Sequence, residues 1–137
     1  MIVTDLEDYV QRADSEARRL FGAAAAINLF SGVGLLFFRS VLGPLIGLDA
    51  ATGTNLVMVN LSGGLILLFA GVYLLLATDP ARWRTYIPLA IVGKLIAAVS
   101  VITPWAMGKI SWPLPALISL DVLFAGLFAH FLRRHPA

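Results

Sequence analysis

Residues 86–102 read YIPLAIVGKLIAAVSVI, an apolar run with one charge, Lys94, near its middle. Apolar and polar residues do not alternate along it, so it is not a half-buried strand. Wound as an α-helix it measures about 26 Å, close to the roughly 30 Å of a bilayer core. Three further apolar runs, 20–38, 56–77 and 114–132, are longer still. Lipid accepts only segments that satisfy their own backbone groups. Four such runs therefore predict an all-α membrane protein, a four-transmembrane-helix bundle.

Composition agrees. Of the 137 residues, 59% are hydrophobic and only 13% charged, and mean hydropathy is +0.88. A soluble domain this small cannot hide so much apolar surface, so the bilayer is the chain's expected solvent. Disorder, a collagen-like helix and nucleic-acid binding are disfavoured. With no cysteine, disulfides, Cys-ligated zinc, iron–sulfur clusters and a thiol nucleophile are excluded. There is no HExxH motif, and the Gly32-Val33-Gly34 run follows no strand, so it is no nucleotide fingerprint. No catalytic residue and no metal ligand is assigned.

Residues 1–19 differ in character from 20–134, which hold the four spans. Leu6, Tyr9, Val10, Ala13, Ala17 and Leu20 fall on one helical stripe. Thr4 with Glu7 reads as a capping box. Asp8 with Arg12, and Asp14 with Arg18, are i,i+4 pairs in the favoured order. This predicts an amphipathic cytoplasmic helix that runs into the first span or bends at the interface. Its five acids against three Arg lack the basic signature of an anionic-lipid anchor, and its acidic start is unlike a signal peptide. The expected acceptor of the stripe is a partner subunit, ahead of lipid and of the bundle itself.

The links are short. Asp79-Pro80 reads as an N-cap followed by proline at the first helical position. Pro88 is expected to bend the start of the third span. The apolar stretch 40–54 is expected to lie in the outer interface. Seven cations, Arg12, Arg18, Arg19, Arg82, Arg84, Arg133 and Arg134, fall on one side, against Arg39 and Lys109 on the other. The positive-inside rule then places both termini in the cytoplasm. Trp83 and Tyr86 fit the inner aromatic belt, Trp105 and Trp112 the outer.

The few polar residues inside the spans carry the remaining information. Lys94 shares its helix face with Ala90, Ala97 and Ala98. Asn28 lies with Ala24, Ala25, Ser31 and Gly32, and Asn60 with Gly53, Gly63, Gly64 and Gly71. Asp121 lies with Leu117, Phe124, Ala125 and Phe128. Small residues mark helix–helix contact in membranes. Counted from the cytoplasmic cations, Asn28, Lys94 and Asp121 lie roughly 14, 15 and 18 Å deep, so they can meet. Asn60 belongs to the outer half. An intramembrane charge needs a partner, and Lys94 with Asp121 is the available pair. Two readings of the polar centre (Lys94, Asp121, Asn28 and Asn60) stay open. It is a structural ion pair that fixes helix order, or a ligand, ion or proton site assisted by Ser31 and Ser119. His130 is read as interfacial, and His135 as a tail residue without signal.

The stretches LFSGVGLLFF (29–38), LGPLIG (42–47), GGLILLFAGVYLLLATDPARWR (63–84), LAIVGKLIAAV (89–99) and LDVLFAGLFAHFL (120–132) give a chain that resembles the bacterial DoxX-like four-helix membrane proteins. The resemblance implies an accessory subunit of a membrane redox assembly. The resulting expectation is a non-catalytic accessory or assembly subunit of a larger complex, redox or photosynthetic, in the bacterial inner membrane. Its partners would be the lipid bilayer and other membrane subunits, with homo-oligomers compatible. The alternative is a small transporter or ligand-binding protein with its site at Lys94 and Asp121. The cation count is checked by topology reporters fused at Thr4 and His135. Both are expected to report the cytoplasm, and a periplasmic signal from either overturns the orientation.

Overall fold

The computed structural model describes residues 2–135. Its helices are α1 (Ile2–Phe37), α2 (Arg39–Ile46), α3 (Gly53–Thr78), α4 (Pro80–Trp83), α5 (Ile87–Ala106) and α6 (Pro113–Arg134), with a 3-10 turn over Arg84–Tyr86. Four segments are long and apolar enough to cross a membrane: α1, α3, α4 through α5, and α6. The chain is an all-α integral membrane protein built as a four-helix bundle.

Local sequence sets the joints. The Asp79 carboxylate accepts from the Arg82 N–H at 3.1 Å, and Pro80 opens α4 where a missing N–H costs nothing. The 3-10 turn links α4 to α5, and Pro88 sits in the first turn of α5, where its missing N–H leaves no helix bond unmade. The link between the first two spans is not wholly irregular, because α2 occupies its first half. α2 ends at Gly47, whose φ of 73° suits glycine, and the Gly47 and Leu48 N–H groups reach back to Pro44 and Gly43 carbonyls.

α1 packs along α3, and α5 along α6. The first pair approaches closely at Gly32 and Gly63. A Cβ on Gly32 would lie 2.7 Å from Leu67 Cγ and 3.1 Å from the Gly63 carbonyl oxygen, and one on Gly63 would lie 2.8 Å from Leu36 Cγ. The two pairs meet through an aromatic block in the half of the bundle nearer the termini. Phe21 stacks on Phe128 at 4.7 Å and meets Phe131 edge-on at 5.8 Å, while Tyr73 lies 5.5 Å from Phe128. Phe21, Tyr73 and Phe128 are fully buried, so this block supplies much of the burial that joins the two halves.

At about 54 Å, α1 is far longer than a bilayer core is thick. It starts at Ile2, so Thr4 lies within the helix rather than capping it, and the side chains of residues 1–4 lie outside the described part. Neither Asp8–Arg12 nor Asp14–Arg18 closes into an ion pair among the described residues; exposed pairs gain little. Glu16 finds partners instead at the end of α6. It accepts from His135 Nε2 at 3.3 Å and lies 3.9 Å from Arg134. Tyr9 donates to the Arg134 carbonyl at 3.2 Å and its hydroxyl lies 3.0 Å from His135 Nδ1. The Arg84 guanidinium donates to the His135 carbonyl. His135, read from sequence as a tail residue, is therefore buried and ties the C-terminus to α1. The amphipathic stripe is divided: Ala17 is buried in the bundle, while Leu6 and Val10 stay 63% and 51% exposed.

The Gly32–Gly63 crossing is tested by size. Gly32→Leu is expected to destabilise the protein by about 1–3 kcal/mol through overpacking, read as a lower Tm in detergent. Gly64→Leu, one residue beyond the crossing with nothing within 4 Å of its added Cβ, is expected to leave Tm unchanged.

Candidate functional site

Lys94 lies just before the middle of α5, 3% exposed, with alanines 90 and 98 buried on the same face. Its ammonium donates to Asp121 Oδ1 on α6 and, at 2.8 Å, to Asn28 Oδ1 on α1. The Asn28 amide in turn donates to the Ile66 carbonyl on α3 at 3.3 Å. That carbonyl belongs to a helix ladder, and its second lone pair is free to accept. Two ring faces complete the surroundings of the ammonium, Tyr73 of α3 at 5.1 Å and Phe124 of α6 at 5.7 Å. One cation thus draws in groups from all four spans.

The electrostatics follow from burial. An ammonium removed from water regains its solvation only from fixed dipoles and an opposite charge. Here a carboxylate, an amide oxygen and two aromatic faces provide it. Among the described residues no buried side-chain nitrogen or oxygen lacks a partner. Asp121 is the less enclosed member, 20% exposed against 3% for Lys94.

The expected meeting of Lys94, Asp121 and Asn28 occurs. Asn60 does not join them. It is exposed, about 9 Å along α3 from Ile66, and accepts instead from Arg39 at 3.3 Å beside α2. Of the glycines on its face, Gly63 is buried against α1, while Gly53, Gly64 and Gly71 are exposed. Ser119 is exposed and turns back to the Ala116 carbonyl at 2.6 Å on its own helix. Ser31 makes no hydrogen bond to the pair. His130 is exposed near the end of α6, away from the centre. No group of three or more His, Asp or Glu comes together among the described residues.

Sequence reasoning missed Tyr73 and the Ile66 carbonyl. Tyr73 is the lone tyrosine of its apolar run and sits seven residues, two turns, after Ile66. That spacing puts both on the face that meets Asn28 and Lys94. No protein-family model, no curated protein and no solved structure matches the chain.

A double-mutant cycle measures the pair. Lys94→Met or Asp121→Leu alone leaves an uncompensated charge in the bundle and is expected to cost about 3–5 kcal/mol, read by unfolding in detergent. The double variant is expected to recover most of that loss. Strict additivity of the two single effects would overturn the coupling.

Proposed function

We propose that the chain is a non-catalytic accessory or assembly subunit of a larger bacterial membrane complex, of the DoxX-like kind, with both termini on the cytoplasmic side of the inner membrane. The observation that carries this reading is the N-terminal end of α1. Leu6 and Val10 stand exposed on a helix that continues unbroken into the bundle. The Glu16–His135 contact fixes that helix below the stripe, so the stripe is presented at a set height and angle. An apolar stripe outside the bilayer is stabilised by covering it. The acids around it, Asp5, Glu7 and Asp8, favour a protein surface over anionic headgroups. The filled surroundings of Lys94 support the same reading, because the ammonium's hydrogen bonds are made within the fold.

A second reading keeps Lys94 and Asp121 as the site of a small transporter or ligand-binding protein. The observation that favours it is the partial exposure of Asp121.

The two readings separate by purification from native membranes in mild detergent. The wild-type chain is expected to elute within a larger assembly. Leu6→Gln with Val10→Gln is expected to elute alone, with unchanged Tm, since neither side chain packs in the bundle. A wild-type chain that purifies alone and moves a solute into liposomes in proportion to an ion gradient would overturn the subunit reading.

A further inference from the structure

A groove runs between α1 and α6 at the end of the bundle that carries both termini. Arg12, Glu16 and Arg19 line its outer part, and Ala23, Phe124 and Leu127 its inner part. From Arg12 to Ala23 it follows about 17 Å of helix. That length accommodates a phosphate headgroup and the upper part of one acyl chain. The change from charged to apolar lining falls where the apolar run of α1 begins, at the depth where a lipid's own polarity changes.

Charge decides which lipid fits. Arg12 and Arg19 are exposed and in no ion pair among the described residues. The acid between them, Glu16, is occupied by His135 and Arg134. Asp5, Glu7, Asp8 and Asp14, which make the N-terminal segment acidic overall, do not line the groove. The groove therefore presents two unpaired guanidiniums, among the described residues, above a shallow apolar floor. We propose that it is a binding site for a bilayer phospholipid with an anionic headgroup. The phosphate is held between Arg12 and Arg19, whose planar donor forks match phosphate oxygens. One acyl chain lies along Ala23, Phe124 and Leu127. The site is separate from the exposed Leu6–Val10 stripe and shares only Phe124 with the Lys94 centre.

The test uses the full chain, delipidated in detergent and titrated with a fluorescent short-chain phosphatidylglycerol or its phosphatidylcholine counterpart. Phosphatidylglycerol is expected to bind more tightly. Arg12→Gln with Arg19→Gln is expected to weaken it by about 30-fold, from roughly tenfold or less per guanidinium. Ala23→Trp, at an exposed position where the larger ring covers the apolar floor, is expected to weaken it at unchanged Tm. The charge-matched control Lys109→Gln with Arg133→Gln is expected to bind as wild type. Equal binding of both lipids, equal loss in the control, or full binding by Ala23→Trp would each overturn the proposal. So would competition by chain-free glycerol phosphate at the same concentrations as the lipid, since the headgroup alone would then account for binding.

Discussion

A single ammonium group in the middle of a bilayer sets the terms for this fold. Left alone, Lys94 would cost several kcal/mol at that depth. Its three protons must find oxygen or a π-face within reach of one side chain. Asp121, Asn28, Tyr73 and Phe124 come from three different spans, and the Ile66 carbonyl behind Asn28 fixes the remaining amide. Each helix must therefore adopt one rotation about its axis. Lipid gives helices little hydrophobic reason to associate, so this polar centre supplies specificity that packing alone would lack. The small residues beside it, Ala24, Ala25 and Gly32 on α1 and Ala90 and Ala98 on α5, let the backbones come close enough for the bonds to form.

Below the polar centre the aromatic block joins the two helix pairs, and below that the C-terminus closes over α1. These three layers differ in chemistry. The first is ionic, the second dispersive, and the third a hydrogen-bonded network around the buried His135 whose other members are partly exposed. α1 takes part in all three, and it is the one span that continues well past the bundle.

The four spans were legible because length and apolarity are properties of a segment by itself. The Lys94–Asp121–Asn28 meeting was legible because a charge in lipid has few permitted partners and depth can be counted along a helix. The rest depended on information that no single segment carries. Asn60 has the same amide as Asn28 and also lies in a glycine-rich run, but α2 turns Arg39 toward it, and the path of α2 is not written in α3. His135 stands beyond the last apolar residue, where sequence offers no periodicity. Only the approach of α1 to the end of α6 gives it Glu16 and Tyr9. Tyr73 was hidden for the opposite reason: in an apolar run its ring reads as one more core residue.

The ion pair joins consecutive helices, α5 and α6, that run in opposite directions with their charges at matching depth. This has a consequence for biosynthesis. A ribosome delivers the span containing Lys94 first, and that span alone carries an unmatched charge into the translocon. The span bearing Asp121 follows after a link of only six residues, 107–112. The two can leave the translocon together as a hairpin whose charges already neutralise each other, so the lipid need never solvate either one. Asn28 and Ile66 lie on the first two spans, which are made earlier, so the bond between them can form before the hairpin arrives. The order in which the chain is made is thus also an order in which no charge is stranded in the membrane.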